Sequence, residues 1–168
     1  LNSNEGSFIS LPPAAFTDPG FDSPAGGTAE TFTATVDWGD GTTEPAADIE
    51  LARTSGSEGV ATRSTIQARH AYADNGTYAV TVRVEDDDRG ASVSTFTVTV
   101  ENVAPSLASL PSLTSKEGDF IQLPPASFSD PGFDNPRGGT AETFTTTVDW
   151  GDGTTEPPGE ITVEKTAV

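Results

Sequence analysis

The sequence predicts an all-β protein built of antiparallel strands, and three observations predict it. Several runs alternate apolar residues with threonine at a period of two, the mark of strands with one face buried and one face wet. Glycine-bearing turns of the Asp-Gly and Arg-Gly kind separate those runs, as tight reversals require. Nothing of comparable strength repeats at helical spacing. The third observation is a repeat: LPPAAFTDPGFDSPAGGTAETFTATVDWGDGTTEP begins at Leu11, and a near copy begins at Leu123, an offset of 112 residues (11 to 123). The offset also aligns LNSNEG at Leu1 with LTSKEG at Leu113. A period that long is a whole domain rather than one turn of a solenoid.

Taken in order, SFISL at 7–11 reads as an early strand. TFTATVDW at 31–38 puts Phe32, Ala34, Val36 and Trp38 on one face and is the central core strand. The next strand falls within TTEPAADIEL, 42–51, and another within VATRSTIQARHAY, 60–72. TYAVTVRVED, 77–86, faces Tyr78, Val80, Val82 and Val84 inward, and ASVSTFTVTV, 91–100, does the same with Phe96, Val98 and Val100. Between the last two, DDDRGAS supplies a tight turn. DNGTYAV, starting at Asp74, has the order of a tyrosine corner, in which the Tyr78 hydroxyl ties the loop between two sheets of a sandwich to the strand that follows. Trp38 is then the buried indole. The expected organisation is one repeat over 1–104, lacking only its first strand, and the N-terminal part of a second over 105–168. The linker VAPSLASL, 103–110, is the opening strand of that second repeat.

Composition narrows the partners. The formal net charge is −18, which sets nucleic acid and anionic membrane surfaces aside and makes divalent cations the natural partners. With no cysteine, disulfides, thiolate metal sites and thiol nucleophiles are excluded together. No apolar run approaches the roughly 20 residues of a membrane span. A leucine start without a leader segment reads as a mature or excised chain. The second repeat has no counterparts of residues 57–104, and a sandwich short of those strands leaves edges unpaired. The expectation is that the polypeptide continues past Val168, the alternative being strands supplied by another chain.

VDWGDG at 36–41 followed by HAYADNGTYAVTVRVED at 70–86 resembles the PKD (polycystic kidney disease) domain. The resemblance covers the first copy and the half copy after it, and it implies an immunoglobulin-like antiparallel β-sandwich in tandem repeats. The closing TFTVTVENVAP resembles the last strand and linker of bacterial PKD-like and cadherin-like arrays. There, carboxylates at strand starts, strand ends and linkers share calcium at the junction between repeats and stiffen it. The residues that match are Glu5 and its counterpart Glu117, the DPGFD carboxylates Asp18 and Asp22 with their counterparts Asp130 and Asp134, the strand-end pair Asp86 and Asp88, and the linker residues Glu101 and Asn102. The likeness implies that they gather near one end of the sandwich as Ca2+ ligands, hard oxygen donors of the kind the ion requires. Read without the resemblance, Asp-Pro-Gly and Asp-Asp-Asp are ordinary polar turns whose carboxylates cap backbone amides. No EF-hand spacing is present.

No catalytic set emerges. Asp37 and Asp40 have no neighbour to complete an acid–base pair. His70 alternates with Ile66, Ala68 and Tyr72 and reads as a buried, hydrogen-bonded structural residue. Asn75-Gly76-Thr77 fits a glycosylation sequon and also the turn before Tyr78, which is the preferred reading. A lysine–asparagine cross-link would need a repeating lysine, but Lys116 and Lys165 match Asn4 and Arg53. The expected function is a non-catalytic repeat of an extracellular fibre, stalk or adhesin, stacked on neighbouring repeats and open to head-to-tail filament assembly. The alternative is a substrate- or carbohydrate-binding accessory module of a secreted hydrolase. That use calls for a row of exposed aromatics, for which only Phe21 and Phe133 are candidates.

Overall fold

The computed structural model describes residues 1–44, 48–157 and 161–165, and no α-helix occurs among them. In the first copy ten strands follow one another: β1 (Asn2–Asn4), β2 (Phe8–Ser10), β3 (Ala14–Asp18), β4 (Phe32–Asp37), β5 (Thr43–Glu44), β6 (Glu50–Thr54), β7 (Thr62–Gln67), β8 (Arg69–Ala71), β9 (Gly76–Asp86) and β10 (Ala91–Glu101). The strand expected over 42–51 lies partly on 45–47, outside the described residues, and its two flanks are β5 and β6.

One sheet runs β1-β10-β9-β4-β5; opposite it lie the three-stranded β3-β7-β6 and the two-stranded β2-β8. The alternation read from the sequence decides what each sheet buries. Ala34, Val36 and Trp38 from the β4 segment, Val80, Val82 and Val84 from β9, and Val98 and Val100 from β10 point into one cluster. Ile9 of β2, Leu11 and Ile66 of β7 enter it from the other side. Burying a valine or isoleucine side chain stabilises by roughly 1.5–3 kcal/mol, so this shared cluster is the principal cohesion between the sheets. Trp38 lies in it at 1 % exposure. Its ring stacks on His70, with centroids 5.0 Å apart, and its carbonyl accepts the Tyr72 hydroxyl at 3.0 Å. Burial raises the Tyr72 phenol far above its ordinary range, so it stays a donor. The Tyr78 hydroxyl donates to the Asp74 carbonyl at 2.8 Å, the bond a tyrosine corner calls for.

One pairing departs from the antiparallel expectation. β1 runs parallel to β10, Asn2 beside Thr99 and Asn4 beside Glu101, so the sheet is mixed. The turn at Glu5–Gly6, where Gly6 takes φ 69°, carries the chain across into β2 of the facing layer. The segment therefore need not fold back on β10 as a hairpin would.

The second copy contributes two-residue strands. β11 (Ser106–Leu107), inside the linker expected to be its opening strand, pairs with β12 (Phe128–Ser129), and β13 (Val148–Asp149) pairs with β14 (Thr155–Glu156). Trp150, the counterpart of Trp38, is 37 % exposed. His70 and Tyr72, whose rings pack on Trp38, belong to the part of the period after residue 57, which has no counterpart for the second copy in these 168 residues.

Candidate metal centre

Asp18 closes β3, Glu30 stands two residues before β4, and Asp86 closes β9. Because Phe32 pairs with Asp86 in the β4–β9 ladder, these three strand ends meet at one end of the sheets. Asp18, Glu30 and Asp86 each bring a carboxylate oxygen within 4.8 Å of the others. Two are held by their own turns: Asp18 accepts the Gly20 amide at 2.6 Å and Asp86 the Gly90 amide at 2.6 Å. Fixing one oxygen of each carboxylate orients the other. Burial first, and then the charges of Asp87, Asp18, Asp86 and Asp88, push the Glu30 carboxyl above its ordinary value. Like charges crowded in this way are relieved by a proton or a cation.

Of the residues singled out by sequence, Asp18 and Asp86 are therefore brought together. Asp88 lies in the turn beside them and acts on Glu30 through its charge. Asp22 is close by but differently engaged. It forms an ion pair with Arg53 at 2.9 Å, accepts the Ser55 hydroxyl at 2.9 Å and accepts the Glu30 amide at 2.9 Å. Hydrogen bonds from the Glu30 amide, Arg53 and Ser55 hold its carboxyl below the usual range. Its visible role is to pin the loop so that Glu30 faces Asp18.

Glu5, Glu101 and Asn102 stand at the opposite end of the sheets. The antiparallel pair β9 and β10 are 11 residues each and separate Asp86 from Glu101, about 34 Å at the usual rise. The expected gathering of Asp86 and Asp88 with Glu101 and Asn102 does not occur within one copy, because a strand's two ends cannot share a site. Glu5 is buried; its Oε1 accepts the Val103 amide at 2.8 Å, and its own amide donates to the Glu101 carbonyl at 3.1 Å. It fastens the linker to β1. Its counterpart Glu117 is exposed.

The second copy reproduces three contacts of the loop. Gly132 donates to Asp130 at 2.9 Å, Glu142 donates to Asp134 at 2.9 Å, and Lys165 takes the place of Arg53 on Asp134 at 2.5 Å. The Phe128–Phe144 rings meet edge to face at 4.8 Å, as Phe16–Phe32 do at 4.9 Å. Burial, and then the charges of Asp130, Asp74 and Glu5, raise the Glu142 carboxyl. The last two belong to the first copy, so Glu142 feels the charge of both copies.

Sequence reasoning passed over Glu30, Glu142 and Asp74. The signal for the first two was present in TAE, 28–30 and 140–142, which recurs unchanged inside a variable-looking loop. His70 is hydrogen-bonded as expected, but its partner corrects the reading of Asp40: its Nε2 lies 2.8 Å from Asp40 Oδ2, so the fold gives Asp40 a titratable neighbour that lies 30 residues away in sequence. No family model, no curated protein and no solved structure matches this chain.

Proposed function

We propose that the chain is a non-catalytic structural repeat of an extracellular fibre, stalk or adhesin, with PKD-type immunoglobulin-like units over 1–104 and 105–168 stiffened by calcium at their ends. One observation carries this reading. The Asp18–Glu30 pair recurs as Asp130–Glu142, built by the same loop contacts, and the second pair lies in the field of Asp74 and Glu5 from the neighbouring copy. A carboxylate cluster at the end of each unit, meeting carboxylates of the next, would repel across every junction unless a cation joined them.

The donor set suits calcium. All donors are hard oxygens on loops and strand ends, and the ion takes six to eight such ligands in flexible geometry, with carbonyls and water completing the shell. Asp18, Glu30 and Asp86 would hold it at the first end, with Asp130 and Glu142 the matching pair at the junction. Bound there, calcium would neutralise the crowded charge and lock the loop to β9.

Thermal melting of the chain in calcium and then in chelator tests the proposal. An ion at 100 times its dissociation constant adds roughly 2.7 kcal/mol, and a domain of about 100 residues gains several degrees for each kcal/mol. The midpoint should rise by about 10–20 °C in calcium, and Glu30→Gln with Glu142→Gln should remove most of the rise. An unmoved wild-type midpoint overturns the calcium reading.

A further inference from the structure

The loop over 130–140 of the second copy is seated on the end of the first. The Phe133 amide donates to the Ala73 carbonyl at 3.2 Å. Asn135 Nδ2 reaches the Asp40 carbonyl oxygen at 3.3 Å and its Oδ2 at 3.4 Å. Glycine makes this approach possible. A Cβ at Gly138 would overlap the Asp40 carbonyl oxygen, and one at Gly6 would collide with the Pro131 backbone. A Cβ at Gly41 would fall 2.9 Å from the Gly138 Cα. The contact is thus backbone against backbone, a fit any other side chain at these glycines would spoil.

The first copy carries the same loop at its other end. Pro19, Phe21 and Gly26 stand where the docked loop has Pro131, Phe133 and Gly138. Its shape is the same, for the Ser23–Thr28 bridge matches the Asn135–Thr140 bridge. Only the side-chain hydrogen bonds of Asn135 are missing, because Ser23 is shorter. A unit with a receiving surface at one end and its complement at the other makes a heterologous contact, which builds a ring or an open filament of several copies.

We propose that the loop over 18–28 is a docking surface for another copy of this repeat, received by that copy's Gly6, Asp40, Gly41 and Ala73 surface as the 130–140 loop is received here. The inference rests on the structural-repeat reading but not on calcium. In the chain as it stands, the receiving surface is covered by its own 130–140 loop. Gly138→Val uncovers it, leaving the 18–28 loop of a second molecule as the complementary partner. Sedimentation is measured at about 1 mM chain, comparable to the effective concentration of a loop held on a short tether, in salt high enough to screen the like charges.

The Gly138→Val chain should sediment at twice the monomer mass or more, and the Gly26→Val/Gly138→Val chain, blocked on both loops, as a single chain. A monomeric Gly138→Val chain, or a double variant that associates equally, overturns the proposal. Near-ultraviolet circular dichroism reports whether the valine chain is folded. If it is not, Asn135→Ala/Gly138→Ala with Gly26→Ala as the blocking change gives the same reading. Association without a calcium-dependent melting shift overturns the metal reading alone; the shift without association overturns the docking alone.

Discussion

Asp40 joins three parts of the molecule through one residue. One carboxylate oxygen accepts the Thr42 amide at 3.0 Å and its hydroxyl at 2.5 Å, the other lies 2.8 Å from His70, and the backbone carbonyl receives Asn135. Burial pushes the carboxyl up, but the bonds from His70 and Thr42 outweigh it and leave the pKa below the ordinary 3.8. A carboxyl depressed on folding stabilises fully above its unfolded pKa, and that contribution fades as the pH falls through the folded value. Asp40→Asn should therefore cost about 1.5–3 kcal/mol at pH 7, with the gap to wild type narrowing only below pH 3.8; melts at pH 7, 5 and 3 measure it. Glu30 has the opposite sign. Raised on folding, it stabilises below its unfolded value of 4.5 and loses that as the pH rises through the folded one, so Glu30→Gln should raise the melting point in chelator at pH 7. The turn bond from Asp40 to Thr42 was legible in GDGTT, since a short Asx turn is local chemistry. Its bond to His70, 30 residues away, was not, because only the fold brings the two together.

At the scale of elements, period-two patterning served β4, β9 and β10 well. Each is long, half-buried and threonine-backed, so pattern and environment agree. β1 escaped notice because Asn-Ser-Asn carries no apolar alternation; its place is set by the free edge of β10, a property of the partner. The corner at Tyr78 was legible because its spacing fixes a local bond, and Tyr72–Tyr78 stacking at 4.3 Å packs it against the core. Tyr78→Phe leaves the stacking in place and removes one hydroxyl bond, for a loss of about 1 kcal/mol. A drop of about 4–8 °C is expected for a domain of this size, read by calorimetry against wild type.

Across the whole molecule the period of 112 residues was plain from the letters alone, as was the acidity. Which ends of the units face each other was not legible, since no pattern in DPGFDN says that it will rest on Ala73 and Asp40. Hydrogen exchange tests that arrangement and the uneven build of the two copies. Amides of β9 and the facing part of β10 should exchange slowest, by opening of the whole unit. Those flanking the two-residue strands of the second copy should exchange fastest. Phe133, whose amide is given to Ala73, should exchange more slowly than its counterpart Phe21; equal rates would argue against a seated loop.

The parallel β1–β10 pairing has a mechanical consequence. The Thr99 amide donates to the Leu1 carbonyl at 2.8 Å, the Leu1 ammonium donates to the Thr97 carbonyl at 3.0 Å, and the Glu5 amide donates to the Glu101 carbonyl at 3.1 Å. Tension between the first residue and the linker pulls β1 toward one end of the unit and β10 toward the other. Strands loaded that way slide past each other in shear, so these bonds carry the force side by side and must break together. A hairpin pulled open at its mouth would instead unzip one bond at a time. The least conspicuous strand in the sequence is thus the clasp of the unit under load.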